Sequence, residues 1–234
     1  MRGCLFVLIV AALFVSVAAW FGAPVLASAV IEGGLRNAGF DARTLTTTAT
    51  ADPPPKLLVG RADSVRIQAG GVSFRTFHAN RLDLTMTGVD LFARSFTSIR
   101  GTITAAEVKT ADGIPTTADV SVDGDASAAD ATIVIDAATV DRVVRATFAK
   151  TSGVAIVRTE LVTPDILRIV ASGATIEGRI VVDRSGAIAL STRLGETEIL
   201  RLDPSFPLRL RSVDVVDGSL RIDATLDAEA LLGR

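Results

Sequence analysis

Histidine, cysteine and clustered carboxylates are where hydrolytic, redox or metal chemistry would begin, and this chain has few of them. His78 is the only histidine and Cys4 the only cysteine in 234 residues. A Ser-His-Asp relay would need His78 as its base, and no Gly-x-Ser-x-Gly elbow surrounds any serine. Next to Phe77, His78 reads as a strand-surface residue rather than a general base. A zinc site of mixed histidine and cysteine ligands is out of reach beyond Cys4. Asp123, Asp125 and Asp130 are the closest carboxylate cluster, but they lack the Asp-x-Asp-x-Asp-Gly order of a calcium loop and predict a solvated turn. The pairs Gly33-Gly34 and Gly70-Gly71 have no phosphate-loop lysine after them. The expectation is a protein that is not an enzyme, with no catalytic residue, no cofactor and no metal.

Charge excludes another class. Lysine and arginine number 24 against 26 acidic residues, a formal net charge of -2 with no long block of one sign, which argues against nucleic acid as the partner. Tyrosine is absent, and the chain beyond the N-terminus is rich in Val, Ile, Leu, Ala and Thr. Such a composition favours aliphatic strands over an aromatic-lined sugar or nucleobase site.

The elements that must position any site begin with the N-terminus. From Gly3 to Ile31 there is no charged side chain, and roughly 20 apolar residues are enough to cross a hydrocarbon core. Arg2 precedes the run, so the positive-inside tendency puts the N-terminus in the cytoplasm and everything after it outside. Residues 1–23 are expected to form a signal anchor, a single transmembrane helix, with residues 24–234 forming one extracytoplasmic domain of the cell envelope. The small residues Ala27-Ser28-Ala29 keep a cleaved, secreted form as the alternative. Cys4 has too little chain ahead of it to be a lipidation site.

Past the anchor, Pro24 to Asn37 predicts a helix with Leu26, Val30 and Leu35 near one face. Ala42–Thr50 reads as a strand, and Pro53-Pro54-Pro55 as an extended connector. Gly70-Gly71 predicts a two-residue turn that sets Ile67 opposite Phe74. Leu82, Leu84 and Met86 alternate before the apolar parity jumps to Val89 and Leu91, which predicts a bulge at Thr87-Gly88. Asp112-Gly113 and Asp123-Gly124 punctuate further strands. Asp136 is the expected N-cap of a helix over Ala137–Lys150, with Val140, Val143, Val144 and Phe148 on one face. A loop at Arg184-Ser185-Gly186 pairs Val182 with Ile188 and Ile180 with Leu190. Asp217-Gly218 pairs Val215 with Leu220 and Val213 with Ile222, and a bulge near Arg211-Ser212 restores Leu210 opposite Ala224. The fold class is α+β, a long curved antiparallel sheet of roughly nine or ten strands wrapped around two amphipathic helices. Two helices are few for that much apolar sheet. Either the sheet curls and fills its own interior, or a cavity for an apolar ligand remains.

The run Leu57-Leu58-Val59-Gly60-Arg61-Ala62-Asp63-Ser64-Val65-Arg66-Ile67, with Leu82-Asp83-Leu84-Thr85-Met86-Thr87-Gly88-Val89-Asp90-Leu91, resembles the LmeA-like phospholipid-binding family of bacterial cell-envelope proteins. The resemblance continues in the helix after Asp136 and from Phe206-Pro207-Leu208-Arg209-Leu210 to Leu220. It departs at Pro53-Pro54-Pro55-Lys56, where the family commonly has an Asn-Pro element. The family implies a tubular lipid-binding-like fold with an apolar channel for acyl chains, a role in envelope lipid or lipoglycan maintenance, and no catalytic residues. The partners expected are membrane phospholipid or a related lipid, and the bacterial membrane through the N-terminal helix. Leu26, Val30, Ile67, Leu84, Met86, Val140, Val143 and Val144 are expected to face the lipid, and Arg61 either meets a phosphate or closes a strand on the surface. A different class of function is a non-catalytic envelope scaffold, solidly packed, that recruits a protein through a sheet edge.

Overall fold

Long stretches of period-two alternation build thirteen strands among the described residues, joined by two helices. The computed structural model describes residues 22–74, 77–109, 113–152, 155–193, 195–201, 207–228 and 230. Helix α1 covers residues 22–37. It leads into β1 (Phe40–Thr50), a 3-10 turn (Pro54–Val59), β2 (Arg61–Phe74), β3 (Phe77–Asp90), β4 (Ser98–Lys109), β5 (Pro115–Asp125) and β6 (Ala128–Ile135). Helix α2 (Ala137–Ser152) follows, then β7 (Ile156–Val162), β8 (Ile166–Ala171), β9 (Ala174–Val182), β10 (Ile188–Thr192) and β11 (Gly195–Leu200). The hairpin of β12 (Leu208–Val216) and β13 (Ser219–Leu226) supplies the last two strands. The anchor expected over residues 1–23 lies, apart from its last two residues, outside the described part. Among the described residues no helix is long and apolar enough to cross a membrane.

The strands form two sheets rather than the single one expected. The larger is an eight-stranded antiparallel sheet in the order β1-β2-β3-β4-β5-β6-β13-β12. The smaller is a five-stranded meander, β11-β10-β9-β8-β7. Helix α2 divides the chain between them, because Ile133 and Ile135 of β6 pack with Val140, Val143 and Val144 of α2 and with Leu167, Ile169 and Ile188 of the small sheet. A second apolar cluster joins α1 to β1–β6 and β13 of the large sheet. Val120, Leu208 and Leu210 border both clusters.

Gly70-Gly71 does not turn the chain. Strand β2 runs through it to Phe74, which pairs with Phe77, and Ile67 lies opposite Thr47 on one side and Leu84 on the other. The buried parity does shift there, from Ala69 to Val72, and it shifts at the same level from Leu82 to Ala79 in β3 and from Ile103 to Ala106 in β4. The pairing of β2 with β3 keeps one register through the shift. Neighbouring strands therefore kink together, and Gly71 at φ +61° lets the Arg43 side chain lie over the backbone. The kink line ends in a bulge between β4 and β5, where the register slips between Ile103 and Ala106. Ala105 takes φ +49° there, and its N–H donates to the Asp119 carboxylate at 2.7 Å. At Thr87-Gly88 the side chains flip as expected, but β2 flips too, between Ala62 and Val65, so the register is unbroken and no residue is extra.

Asp123-Gly124 is another glycine that is not a turn. It sits inside β5, and a Cβ on Gly124 would come within 3.0 Å of Ala129 Cα in β6. Close approach of two backbones selects the glycine. Asp123 and Asp130 face each other across those strands, and each meets an arginine, Arg100 at 2.9 Å and Arg211 at 2.7 Å. The hairpins built on local turn chemistry come out as read. Asp217 and Gly218, at φ +51° and +71°, pair Val215 with Leu220, and the slip between Leu210 and Ser212 returns Leu210 to Ala224. Ile188 pairs with Val182 and Leu190 with Ile180.

Helix α2 begins where Asp136 accepts the Thr139 N–H at 2.9 Å and the Thr139 hydroxyl at 2.8 Å, bonds that hold its carboxyl below the usual range. One turn later Asp141 accepts from Arg145 at 2.6 Å and from the Thr159 N–H and hydroxyl at 2.9 and 2.8 Å, tying the helix to β7. Burial pushes the Asp141 carboxyl up, and the bonds from Arg145 and Thr159 outweigh it and hold it low.

A carboxyl held low in the folded state stabilises the fold at neutral pH, and that contribution is lost as pH falls below the unfolded value of about 3.9. Denaturant unfolding in mild detergent at pH 7 and pH 3 is expected to show a smaller acid-induced loss for Asp141→Asn than for the parent. Ala105→Gly relieves a left-handed backbone and is expected to raise stability by about 0.5 to 1 kcal/mol in the same assay at pH 7.

Candidate functional site

Helix α1 closes the first edge of the large sheet and packs into its apolar cluster. Ala23 and Ala27 are buried against the sheet, and Ile31 and Leu35 are half-buried beside them. Ser28 and Glu32, one turn apart, turn their oxygens to the edge strand. The Ala49 N–H donates to Ser28 Oγ at 3.3 Å and the Thr47 N–H to Glu32 Oε1 at 3.0 Å. Strand β1 is terminal in the sheet, so these are donors with no neighbouring strand to take them. The contacts also fix direction. Residue 28 lies opposite 49 and residue 32 opposite 47, so α1 runs antiparallel to β1.

Cross-strand pairing places one continuous row of side chains on the inner face. It reads Thr47, Ile67, Leu84, Gly101, Val122, Ala131, Ala224 and Leu210, one residue from each of the eight strands. A second row reads Ala49, Val65, Met86, Ile99, Gly124, Ala129, Leu226 and Leu208. Residues directly opposite share a face, so both rows line the same apolar surface. Glycine and alanine occupy much of the middle of each row. Larger side chains flank them, and those on β3 and β12, namely Leu84, Met86, Leu208 and Leu210, are only half-buried. The inner face is therefore apolar, with small residues in the middle of the rows and larger aliphatic ones to either side. Its one polar side chain is Thr47, 5% exposed, whose Oγ1 has no hydrogen-bond partner among the described residues.

Of the residues expected to face a ligand, Ile67, Leu84 and Met86 lie together on this surface, Ile67 directly opposite Leu84. Leu26 and Val30 do not join them, being 60% and 67% exposed. Leu35 follows Leu26 by nine residues, two and a half helical turns, which puts the two on opposite faces. The inward face is instead the Ala23, Ala27, Ile31 and Leu35 side. Val140, Val143 and Val144 belong to the other cluster, around α2, where the void lined by Ile135, Leu167 and Ile188 measures about 20 Å³. That is room for about one water, not for an acyl chain. Arg61 lies on the surface at the start of β2, with its Nε 3.8 Å from the Asp90 carboxylate. Sequence reasoning missed Ser28, Glu32, Thr47, Leu208 and Leu210. Parity could have found the last two, since Leu210 was already placed opposite Ala224.

The polar face of the same sheet carries an open cleft of about 620 Å³ where the kink line crosses β1–β3, lined by Arg43, Thr44, Gln68, Asn80, Arg81 and Asp83. Asp83 is held there by Arg66 at 2.7 Å and Gln68 at 3.0 Å, and these bonds, with Arg66 foremost, lower its pKa. Among the described residues no three histidine, cysteine, aspartate or glutamate side chains are grouped to hold a metal ion.

A family model described as LmeA-like phospholipid-binding matches residues 18–225. No curated protein and no solved structure matches the chain. The matched span takes in α1, both sheets and α2.

An unpartnered hydroxyl in an apolar surface costs free energy that an isosteric side chain avoids. In lipid-stripped protein, Thr47→Val is therefore expected to raise the denaturant midpoint, by a stability increment of about 1 kcal/mol.

Proposed function

The chain belongs to the LmeA-like phospholipid-binding family, and from that premise we propose that it is a membrane-anchored, extracytoplasmic protein that holds phospholipid acyl chains against the inner face of its large sheet. The observation that carries the proposal is the double row of inner-face residues, apolar from Ile67 to Leu210, with glycine and alanine in the middle and left half-covered at Leu84, Met86, Leu208 and Leu210. An aliphatic chain gains roughly 0.8 kcal/mol for each methylene removed from water, so a half-covered apolar surface of this length is a favourable resting place for one. The uncharged run from Gly3 to Ile31 supports anchoring, and the scarcity of catalytic side chains suits a carrier or holder. Envelope lipid or lipoglycan maintenance is the role such a protein serves.

A scaffold that recruits its partner by strand addition is the weaker reading. Ser28 and Glu32 occupy donors of the β1 edge, and on the β12 edge the Val215 N–H donates to the Pro164 carbonyl at 2.6 Å. Neither edge is a bare template.

Full-length protein expressed in a bacterial envelope and purified in mild detergent is expected to carry phospholipid in near-stoichiometric amount, measured by native mass spectrometry and by lipid extraction of a denatured sample. Leu84→Asp or Leu210→Asp should lower the lipid-to-protein ratio severalfold with the fold retained, while Val134→Asp on the outer face leaves it unchanged. Protein that is empty in every preparation would sink the proposal.

A further inference from the structure

Nine large hydrophobic side chains are exposed among the described residues, and five of them gather at one end of the large sheet. Leu58 and Val59, 52% and 60% exposed, are in the turn between β1 and β2. Phe92, the most exposed at 79%, is in the turn between β3 and β4. The two turns are fastened together, since the Leu91 N–H donates to the Gly60 carbonyl at 2.8 Å and the Phe92 ring lies against Gly60. Gly60 takes φ +75°, and a Cβ there would come within 2.6 Å of the ring, so the glycine both makes the turn and seats the phenylalanine. Val25 and Leu26, 70% and 60% exposed, belong to the first turns of α1. Because α1 runs antiparallel to β1, its start points to this same end.

We propose that this end is a membrane-docking tip, in which Leu58, Val59 and Phe92 bed into the outer surface of the bilayer that holds the N-terminal segment. The chain outside the described part argues for that occupant. Twenty-one residues precede the first described one, and the sequence from Gly3 to Ile31 has no charge, so a segment suited to hydrocarbon enters the domain beside the apolar turns. The charges flanking the tip argue the same way. Around the two apolar turns Asp52, Asp63 and Asp90 match Lys56, Arg61 and Arg94, with Lys56 3.9 Å from Asp63 and Arg61 3.8 Å from Asp90, and Asp125 and Asp227 stand farther along the same end. A rim with no excess of cations adds no attraction for anionic lipid, so apolar burial drives docking and salt does not reverse it. Docking this way stands the strands upright on the membrane, with the row from Ala49 to Leu208 the nearer of the two to the lipid. The inference rests on the anchoring in the proposed function, and not on lipid being held against the inner face.

The test uses the full chain in phosphatidylcholine nanodiscs. Cys4 is first changed to Ser, and single cysteines are then introduced as Leu58→Cys, Phe92→Cys, Thr102→Cys and His78→Cys for labelling with an environment-sensitive dye. All four positions are exposed, and Thr102 and His78 lie on the sheet away from the tip. The expected result is blue-shifted emission at positions 58 and 92, with quenching by spin-labelled lipid severalfold stronger than at 78 and 102 and alike at low and high salt. Equal water exposure at all four positions overturns the proposal. So does shielding at 58 and 92 that spin-labelled lipid fails to quench, which would mean that a second copy of the chain covers the tip. Lipid content of the same preparations is measured separately, so an unquenched tip on lipid-loaded protein refutes docking alone, and a quenched tip on empty protein refutes lipid holding alone.

Discussion

Everything in the larger half of this molecule depends on side chains keeping to one face across eight antiparallel strands. A strand shows alternate residues to opposite sides, so a single unmatched residue anywhere in the sheet would turn an apolar row out to water. The chain changes parity more than once and still keeps its inner rows continuous. It does so by shifting neighbouring strands at the same level, at Gly70-Gly71, Asn80 and Thr104, and by taking up the remaining mismatches in bulges, at Ala105 beside Asp119 and between Leu210 and Ser212. The rows can then run from Thr47 to Leu210 without a break. Gly101, Gly124, Ala129, Ala131 and Ala224 line much of their middle, and a Cβ on Gly101 or Gly124 would meet the backbone of the neighbouring strand at 3.0 Å or less.

The two helices solve different problems with the same apolar currency. Helix α2 is clamped at its start by Asp136, tied to β7 through Asp141, and surrounded by side chains of both sheets, leaving a void of about 20 Å³. It is the packed centre of the smaller half. Helix α1 instead lies against the large sheet, and its polar bonds to the edge strand are those of Ser28 and Glu32 with two backbone donors. Its outer side keeps Val25, Leu26 and Val30 in the open. One helix completes a core, and the other is a cover.

What was legible in the sequence follows from how local the cause is. The Asp217-Gly218 hairpin, the loop at Arg184-Ser185-Gly186 and the Asp136 cap are each decided by a few consecutive residues, and each came out as the residue types dictate. The family resemblance was legible too, since it rests on the same runs of residues that the family model covers. Gly70-Gly71 and Asp123-Gly124 misled because glycine has two uses, reversing a chain and admitting a neighbour, and only the second neighbour's position tells them apart. The division into two sheets was hidden for a similar reason, since the alternation that makes a strand does not say which strand lies beside it. Half of the inner face is legible through Ile67, Leu84 and Met86, and the other half is not, because β12 reaches β3 only through β13 and the three strands β4 to β6. The face of α1 was misjudged because the helix is apolar on both sides, and periodicity alone does not choose between a side that packs on protein and a side that does not.

That double-sided helix bears on how a lipid would enter and leave. An inner face sealed like the interior around α2 would hold a chain only after the core had opened, at a cost comparable to a large part of the fold's stability. A face closed by α1 at the edge of the sheet asks less. Releasing the helix breaks the Ser28 and Glu32 bonds to backbone, each worth about 1 kcal/mol net, and uncovers Ala23, Ala27 and the half-buried Ile31 and Leu35 along with the sheet side chains they pack on, a surface that an acyl chain would cover again. Alanine is a weak adhesive, since it has little surface to bury. Its use at positions 23 and 27, where leucine would hold faster, keeps the cover close to the sheet and cheap to lift. In the proposed function the same apolar surface that α1 leaves is then available to an acyl chain, so departure of the helix and arrival of the lipid exchange one burial for another.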